Sequence, residues 1–406
     1  MKKKILALLL SLCLVAGLAA CGSKTETPAP APAEPAAPAE PAAPAEPAAP
    51  AEPAAPAEPA APAEPAAPAE PSAASGDYNF EIIVKSYQSS YWQAAVKGVE
   101  QAAGELGVKF NCTGPNSESD IADQVNMLNN AIAKKPTGIG LAACDQSACL
   151  EALQAAKDAG IPVVCFDSGI PDAPEGSVYS LVATDNYGAG AVAADHLYAA
   201  LKDKIASASA QVRIGEVNQE ATSESITSRG LGFIDKFTEL ATADGKTVAV
   251  IGNEYYVNAA KGANADEASA DIVIEVAVPA QTTVELCATE ASVILNKADT
   301  IGMFGSNQVA AEGILTANNT LSVLGTDPNS SILAAGFDAG SVIKGAIQSG
   351  TMFGAVTQSP LAMGSTTIET LVKIANGESV SDIPTEGAWY DATNMNDDAI
   401  APNLYD

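Results

Sequence analysis

From Asn79 onward, short apolar runs alternate with stretches whose apolar residues recur every three or four positions. Residues 80–86 (FEIIVKS) read as a strand. Residues 91–106 read as a helix, with Trp92, Ala95, Val96, Val99, Ala102, Ala103 and Leu106 on one face and Gly107 as its stop. Residues 108–114 form a second predicted strand. Residues 119–135 form a helix with Ile121, Val125, Leu128 and Ile132 aligned, Ser119 as its cap and Pro136 beyond its end. Residues 138–144 are a third strand, 149–160 a helix and 161–167 (IPVVCFD) a fourth strand. After Thr184 the march continues, with strands expected at 211–217, 247–252, 271–278, 300–306, 332–338 and 352–358. Helical stretches such as 282–296 and 339–350 lie between most of them. Strands alternating with helices predict parallel sheets covered on both faces.

Four of these apolar strands end on an acid or an amide: Asp167 in CFDSG, Asn307 in FGSN, Asp338 in GFDAG and Gln358 in VTQSP. In open parallel sheets, ligands bind outside the carboxyl ends of the strands. A carboxylate buried there needs hydrogen-bond donors, and ligand hydroxyls can supply them. Any one of these residues also reads as a turn cap; four at corresponding positions point to a site. Beside the first strand's end, YQSSYW (87–92) places Tyr91 and Trp92 at a helix start. Aromatic faces of this kind stack on the C–H surface of a sugar ring, although Trp92 fits a core position equally well.

The first 75 residues differ in kind. A short basic segment, an apolar stretch too short to span a membrane comfortably, and LAAC at 18–21 form a secretory signal. LAAC followed by Gly22 and Ser23 resembles a bacterial lipobox, which implies cleavage after residue 20 and acylation (palmitate) of Cys21. That places the mature protein on the outer face of the membrane, held by its lipid. Residues 27–71 repeat PAAPAE with glutamate every six residues, within a stalk expected over 21–75. Proline at this density and like charges favour an extended polyproline-II spacer, reaching on the order of 140 Å at ~3.1 Å per residue.

The remaining ~330 residues exceed one ordinary core and suggest two lobes. The net charge of −29, about −32 once Lys2, Lys3 and Lys4 leave with the signal, argues against nucleic acid and anionic membrane surfaces as partners. Cys112, Cys144, Cys149, Cys165 and Cys287 match no zinc spacing, and an odd number cannot all pair within one chain. His196 is the single histidine and reads as a surface or groove residue; no GxSxG, P-loop or metal cluster accompanies it. No cofactor or metal is expected, and the chain does not read as an enzyme.

SSYWQAAVKGVEQAAGELG, AAKDAGIPVVCFDSG, VATDNYGAGAVAADHL, SRGLGF, FGSNQVAAEG, AAGFDAG and VTQSPLAMG together resemble the type I periplasmic solute-binding proteins of the ribose/galactose class, the receptors of ABC sugar importers. The resemblance covers nearly all of 78–406. It implies an α/β fold of two doubly wound parallel-sheet lobes joined by three crossovers, with the ligand in the cleft. The lobes would be 76–183 plus 359–383 and 184–358 plus 384–406, crossing at Thr184–Asp185–Asn186, near Ser359 and near Ile383–Thr385. The family's sugar contacts fall on Ser89, Tyr91, Trp92, Asp167, Thr227, Asn307, Asp338 and Gln358.

Two positions depart from the ribose-type pattern. Ser168 and Thr227 stand where those members carry arginines, while Arg229 fits the R-x-x-G-F helix. The pocket keeps its acids and loses two cations, with Lys85 as a candidate replacement for part of that charge. An uncharged polyol-like sugar or one bearing an amine suits such a pocket. The implied role is capture of a sugar by a monomeric receptor and delivery to an ABC permease. The alternative is a sensor that presents a sugar, nucleoside or furanone signal to a chemoreceptor or sensor kinase. A repressor of this fold would need a basic DNA-binding helix-turn-helix at the N-terminus, where this chain has a lipobox and stalk.

Overall fold

A computed structural model describes residues 76–406; the signal, Cys21 and the 27–71 repeat lie outside the described residues. The chain runs β1 (Asn79–Ile83), α1 (Ser90–Leu106), β2 (Lys109–Thr113), α2 (Ile121–Ala133), β3 (Gly138–Leu141), α3 (Leu150–Asp158), β4 (Val163–Phe166) and β5 (Val178–Thr184). It continues through α4 (Asn186–Ser207), β6 (Val212–Val217), α5 (Glu224–Ala243), β7 (Val248–Gly252), α6 (Glu254–Ala259), β8 (Ile272–Ala277) and α7 (Val284–Leu295). Then come β9 (Thr300–Gly305), α8 (Gln308–Leu321), β10 (Leu333–Phe337), α9 (Ser341–Gln348), β11 (Gly354–Thr357) and α10 (Pro360–Ala375). β12 (Ile383–Thr385), β13 (Ala388–Tyr390) and a 3-10 turn at Ala401–Asn403 complete it.

The strands build two sheets, ordered β12-β5-β4-β3-β1-β2 and β13-β11-β10-β9-β6-β8-β7. Apolar residues fill β3, β4, β10 and all of β11 but Thr357, and every residue of these strands is buried, as strands covered on both faces require. Phe80, Ile82, Val164 and Phe166 pack with Trp92 and Val99 on one face of the first sheet; Ile83, Leu141 and Cys165 pack with Leu128 and Leu153 on the other. The second sheet has the same construction. The chain passes between the sheets three times: from β5 to α4, from β11 to α10, and from β12 to β13. This is the two-lobed, doubly wound α/β fold. Each lobe also joins two helices at glycines. A Cβ on Gly98 of α1 would lie 1.9 Å from the Leu361 carbonyl oxygen in α10, and one on Gly190 of α4 would lie 2.0 Å from that of Arg229 in α5.

The structure departs from the sequence reading in several places. β5, β12 and β13 were not foreseen as strands. The burial of β5 is uneven, and β12 and β13 are three-residue edges formed where the third crossover passes between sheets. β13 runs antiparallel to β11, so the second sheet is not wholly parallel. Ser119 does not cap α2, which begins at Ile121 behind Asp120. Glu254–Ala259 forms the short helix α6, capped by the Asn253 side chain. All five described cysteines are free thiols. His196 is exposed and stacks on Trp389, with ring centroids 4.3 Å apart.

One buried acid in β6 plays no part in the expected site. Glu216 is fully buried; Oε1 accepts from Asn218 Nδ2 at 2.5 Å, while Oε2 has no hydrogen-bond partner. Burial pushes its carboxyl well above the usual carboxylate range. Its folded-state pKa therefore exceeds its unfolded-state value, and folding takes up a proton between the two. Its contribution to stability is fullest below the unfolded-state pKa and declines as pH rises from there to the folded-state pKa. Glu216→Gln is expected to flatten that decline. Urea midpoints at pH 5 and pH 8 check it, and an unchanged difference between the two pH values would refute the assignment.

Candidate functional site

The strand order reverses beside β1 in one sheet and beside β6 in the other, the positions where open sheets part to admit ligands. The carboxyl ends of both sheets face a shared groove, which encloses a cavity of about 20 Å³. That is far below the volume of ordinary ligand sites, because side chains of the two lobes meet across the groove.

Asp167 and Asp338 end β4 and β10 in matching ways. Asp167 N donates to Val182 O (2.9 Å) and Asp338 N to Val356 O (2.7 Å), each reaching the neighbouring strand. Both then turn into left-handed backbone, at φ 62° and 71°. Among the described residues, the other two non-glycine residues with positive φ, Lys135 and Ser322, lie at helix ends. Aspartate tolerates this conformation better than most residues, and such strain gathers at functional sites.

Each carboxylate has donors. Asp167 accepts from the Tyr91 hydroxyl through Oδ1, and its Oδ2 lies 3.4 Å from Lys85 Nζ. Asp338 accepts from Gln358 Nε2 (2.7 Å) and from the backbone N–H of Gln308 at the start of α8 (3.0 Å). Burial raises the Asp338 pKa above the ordinary aspartate value, opposed by the charge of Arg229 and by these hydrogen bonds.

Seven of the eight expected contacts line the cavity: Ser89, Tyr91, Trp92, Asp167, Asn307, Asp338 and Gln358. Three of them have structural duties as well. Ser89 caps α1 by accepting from Tyr91 N, and Asn307 caps α8 by accepting from Ala310 N. Trp92 belongs to the core as well as the cavity, meeting Phe166 edge-on while Nε1 donates to Glu118 (2.8 Å). Thr227 is the exception. It does not line the cavity, because its hydroxyl donates back along α5 to Ser223 O (2.8 Å); Ser225 and Ile226 line it instead. Tyr256 is likewise turned away from the cavity: its ring is buried and its hydroxyl donates to Glu220 O.

Besides Ser225, Ile226 and Val309, the sequence reading missed four polar or charged lining residues. Glu118 follows β2 and Gln219 follows β6, strand-end positions that the same rule could have found. They bond to each other across the lobes (2.8 Å), and Gln219 accepts from Asn307. Gln308 follows Asn307. Arg229 had been read as a helix residue only. It is buried, with its guanidinium 3.6 Å over the Phe337 ring, and it donates to Ser306 O and Asn186 Oδ1. The cavity thus keeps two cations, Lys85 and Arg229, despite Ser168 and Thr227. Burial alone would lower the Lys85 pKa, but the charges of Asp167, Glu118 and Glu220 outweigh it and raise it. Lys85 also donates to Ser225 of the second lobe (3.0 Å).

The lobes touch along both rims. Ser119 and Thr282 hydroxyls meet at 3.0 Å, and Gln146 N donates to Thr222 O at 3.0 Å. The crossovers are joined as well: the Thr184 hydroxyl donates to Gln358 Oε1 (2.7 Å), and Asp185 N donates to Thr385 O (2.8 Å).

A family model described as "Periplasmic binding protein domain" matches residues 80–379. The chain belongs to this periplasmic binding protein family. The Ribose import binding protein RbsB of Haemophilus influenzae is 24% identical over 76% of this chain and 89% of its own. A Brachyspira murdochii structure, described as an ABC transporter, LacI family transcriptional regulator, is 32% identical with TM-score 0.67, covering 81% of this chain and 99% of its own. An Agrobacterium vitis ABC transporter solute-binding protein with bound D-fucose is 26% identical with TM-score 0.66, covering 80% and 100%. The family is one of binding proteins, not enzymes. Among the described residues no helix is long and apolar enough to cross a membrane.

Removing one member of a buried ion pair leaves the other uncompensated, at about 3–5 kcal/mol. Lys85→Met should destabilise the protein by that order, and adding Asp167→Asn should recover most of it. Chemical denaturation of the single and double variants decides; equal losses in both would break the pairing.

Proposed function

We propose that this chain is an extracytoplasmic, lipid-anchored receptor that captures a sugar between its lobes and hands it to an ABC import permease. The observation that carries the reading is the convergence of Asp167 from one lobe with Asn307 and Asp338 from the other on one cavity walled by Tyr91 and Trp92. Acids and amides grip hydroxyls, and aromatic faces take the apolar side of a sugar ring. The relatives named for ribose import and for bound D-fucose support the ligand class. The balance of Asp167, Asp338 and Glu118 against Lys85 and Arg229 suits a neutral sugar better than an acidic one. Lobe rotation about the joined crossovers would admit and enclose the ligand, and closure would be favoured only by contacts made to both lobes. Cys21 would carry the anchor, and the receptor would act as a monomer without cofactor.

A bound sugar at 100 times its Kd stabilises the folded state by about 2.7 kcal/mol. Thermal denaturation against D-ribose, D-fucose, D-arabinose, polyols and nucleosides should show a raised midpoint with a sugar and none with Asp167→Ala/Asp338→Ala. A midpoint that still rises in the double variant rules out this site. Cys21→Ser should move the protein from the membrane fraction of its host to the soluble extracytoplasmic fraction, read by fractionation and immunoblot; continued membrane retention would rule out the anchor.

A further inference from the structure

The family match ends at residue 379, yet the chain beyond β13 returns to the groove. Its last residues are tied to the second lobe. Thr357 donates to Asn403 O (2.9 Å), Lys344 donates to Leu404 O (3.3 Å) and pairs with Asp406, and Gly340 N donates to Tyr405 O (3.1 Å). These anchors lie on β11, on α9 and in the loop that follows Asp338.

The Tyr405 side chain spans the two lobes. Its hydroxyl accepts from Ala339 N (3.3 Å), directly after Asp338, and lies 3.4 Å from Gln308 Oε1. Its ring meets the ring of Tyr91 edge-on, with centroids 5.9 Å apart and planes at 71°, and packs against the apolar cluster of the first lobe. Tyr91 in turn donates to Asp167. The hydrogen bonds of the tail thus go to the second lobe and its ring contact to the first. An open cleft of about 460 Å³ lies between the tail and Gln93, Ala94 and Lys97 of α1, so the tail can travel with the second lobe.

We propose that Tyr405 is a positioning residue of the receptor: the tail straps it to the second lobe, and its ring clasps Tyr91 when the lobes shut. The clasp couples the Asp338 loop to the Tyr91–Asp167 pair, and this inference rests on the sugar-receptor reading above. Opening the groove breaks the ring contact, so Tyr405 slows ligand release without touching the ligand. Aromatic edge contacts shift an equilibrium by a few-fold to roughly tenfold.

The test measures affinity by calorimetry and release by stopped flow on the mature full-length chain, with D-ribose, D-fucose and D-arabinose as probes. Tyr405→Ala should weaken binding roughly tenfold through faster release. Tyr405→Phe keeps the ring and should stay within about twofold of the unaltered protein. If Tyr405→Ala does not fold, Lys344→Ala decides, since it loosens the tail outside the groove: several-fold faster release supports the strap, and unchanged release overturns it. Tyr405→Ala binding as tightly as the unaltered protein, or Tyr405→Phe weakened as much as Tyr405→Ala, also overturns it. If the unaltered protein binds none of the three sugars, the receptor reading falls and takes this inference with it.

Discussion

Two aspartates held out of water organise this molecule. Asp167 and Asp338 stand at equivalent ends of β4 and β10, each on left-handed backbone and each almost fully buried. A buried carboxylate without donors is too costly to keep, so the surroundings must supply them. In the first lobe they come from a phenol and an ammonium, Tyr91 and Lys85; in the second, from an amide and a helix N-terminus, Gln358 and Gln308. A hydroxylated ligand placed between the two acids would replace part of that donor set, and the proposed preference for ligands rich in hydroxyls rests on that exchange.

Site and hinge share a side chain. Gln358 donates to Asp338 and accepts from Thr184 at the first crossover, so a ligand that alters the hydrogen bonding of Asp338 acts on the segment where the lobes join. Along the rims, the shut form is held by small polar contacts such as Ser119–Thr282 and Glu118–Gln219. Each is worth about 1 kcal/mol net of the water it displaces, so under the proposed closure ligand contacts to both lobes would be enough to favour the shut form.

Much of the fold was legible because buried parallel strands leave a plain mark. Residues 161–167 and 332–338 are unbroken apolar runs ending in turn residues, and both became central strands. β5 escaped because its burial is uneven, and β12 and β13 because three-residue strands carry no period at all. The rule that ligands meet strands at their carboxyl ends pointed to Asp167, Asn307, Asp338 and Gln358, all of which line the cavity. It stopped short of Glu118 and Gln219, which follow strands of weaker pattern. The family resemblance, not this rule, put a contact at Thr227 in α5, where helix phase turns its hydroxyl into the backbone and lays Arg229 over Phe337.

The order of apolar and polar residues is a local property of the chain, and it was enough to specify alternating strands and helices, two sheets and polar strand ends. Which side chains face each other is a long-range property. The pairing of Tyr91 with Asp167, of Glu118 with Gln219, and of Tyr405 with Tyr91 joins residues 76, 101 and 314 positions apart. Those meetings depend on how the two sheets pack and where the crossovers bring them together, which no window of neighbouring residues encodes.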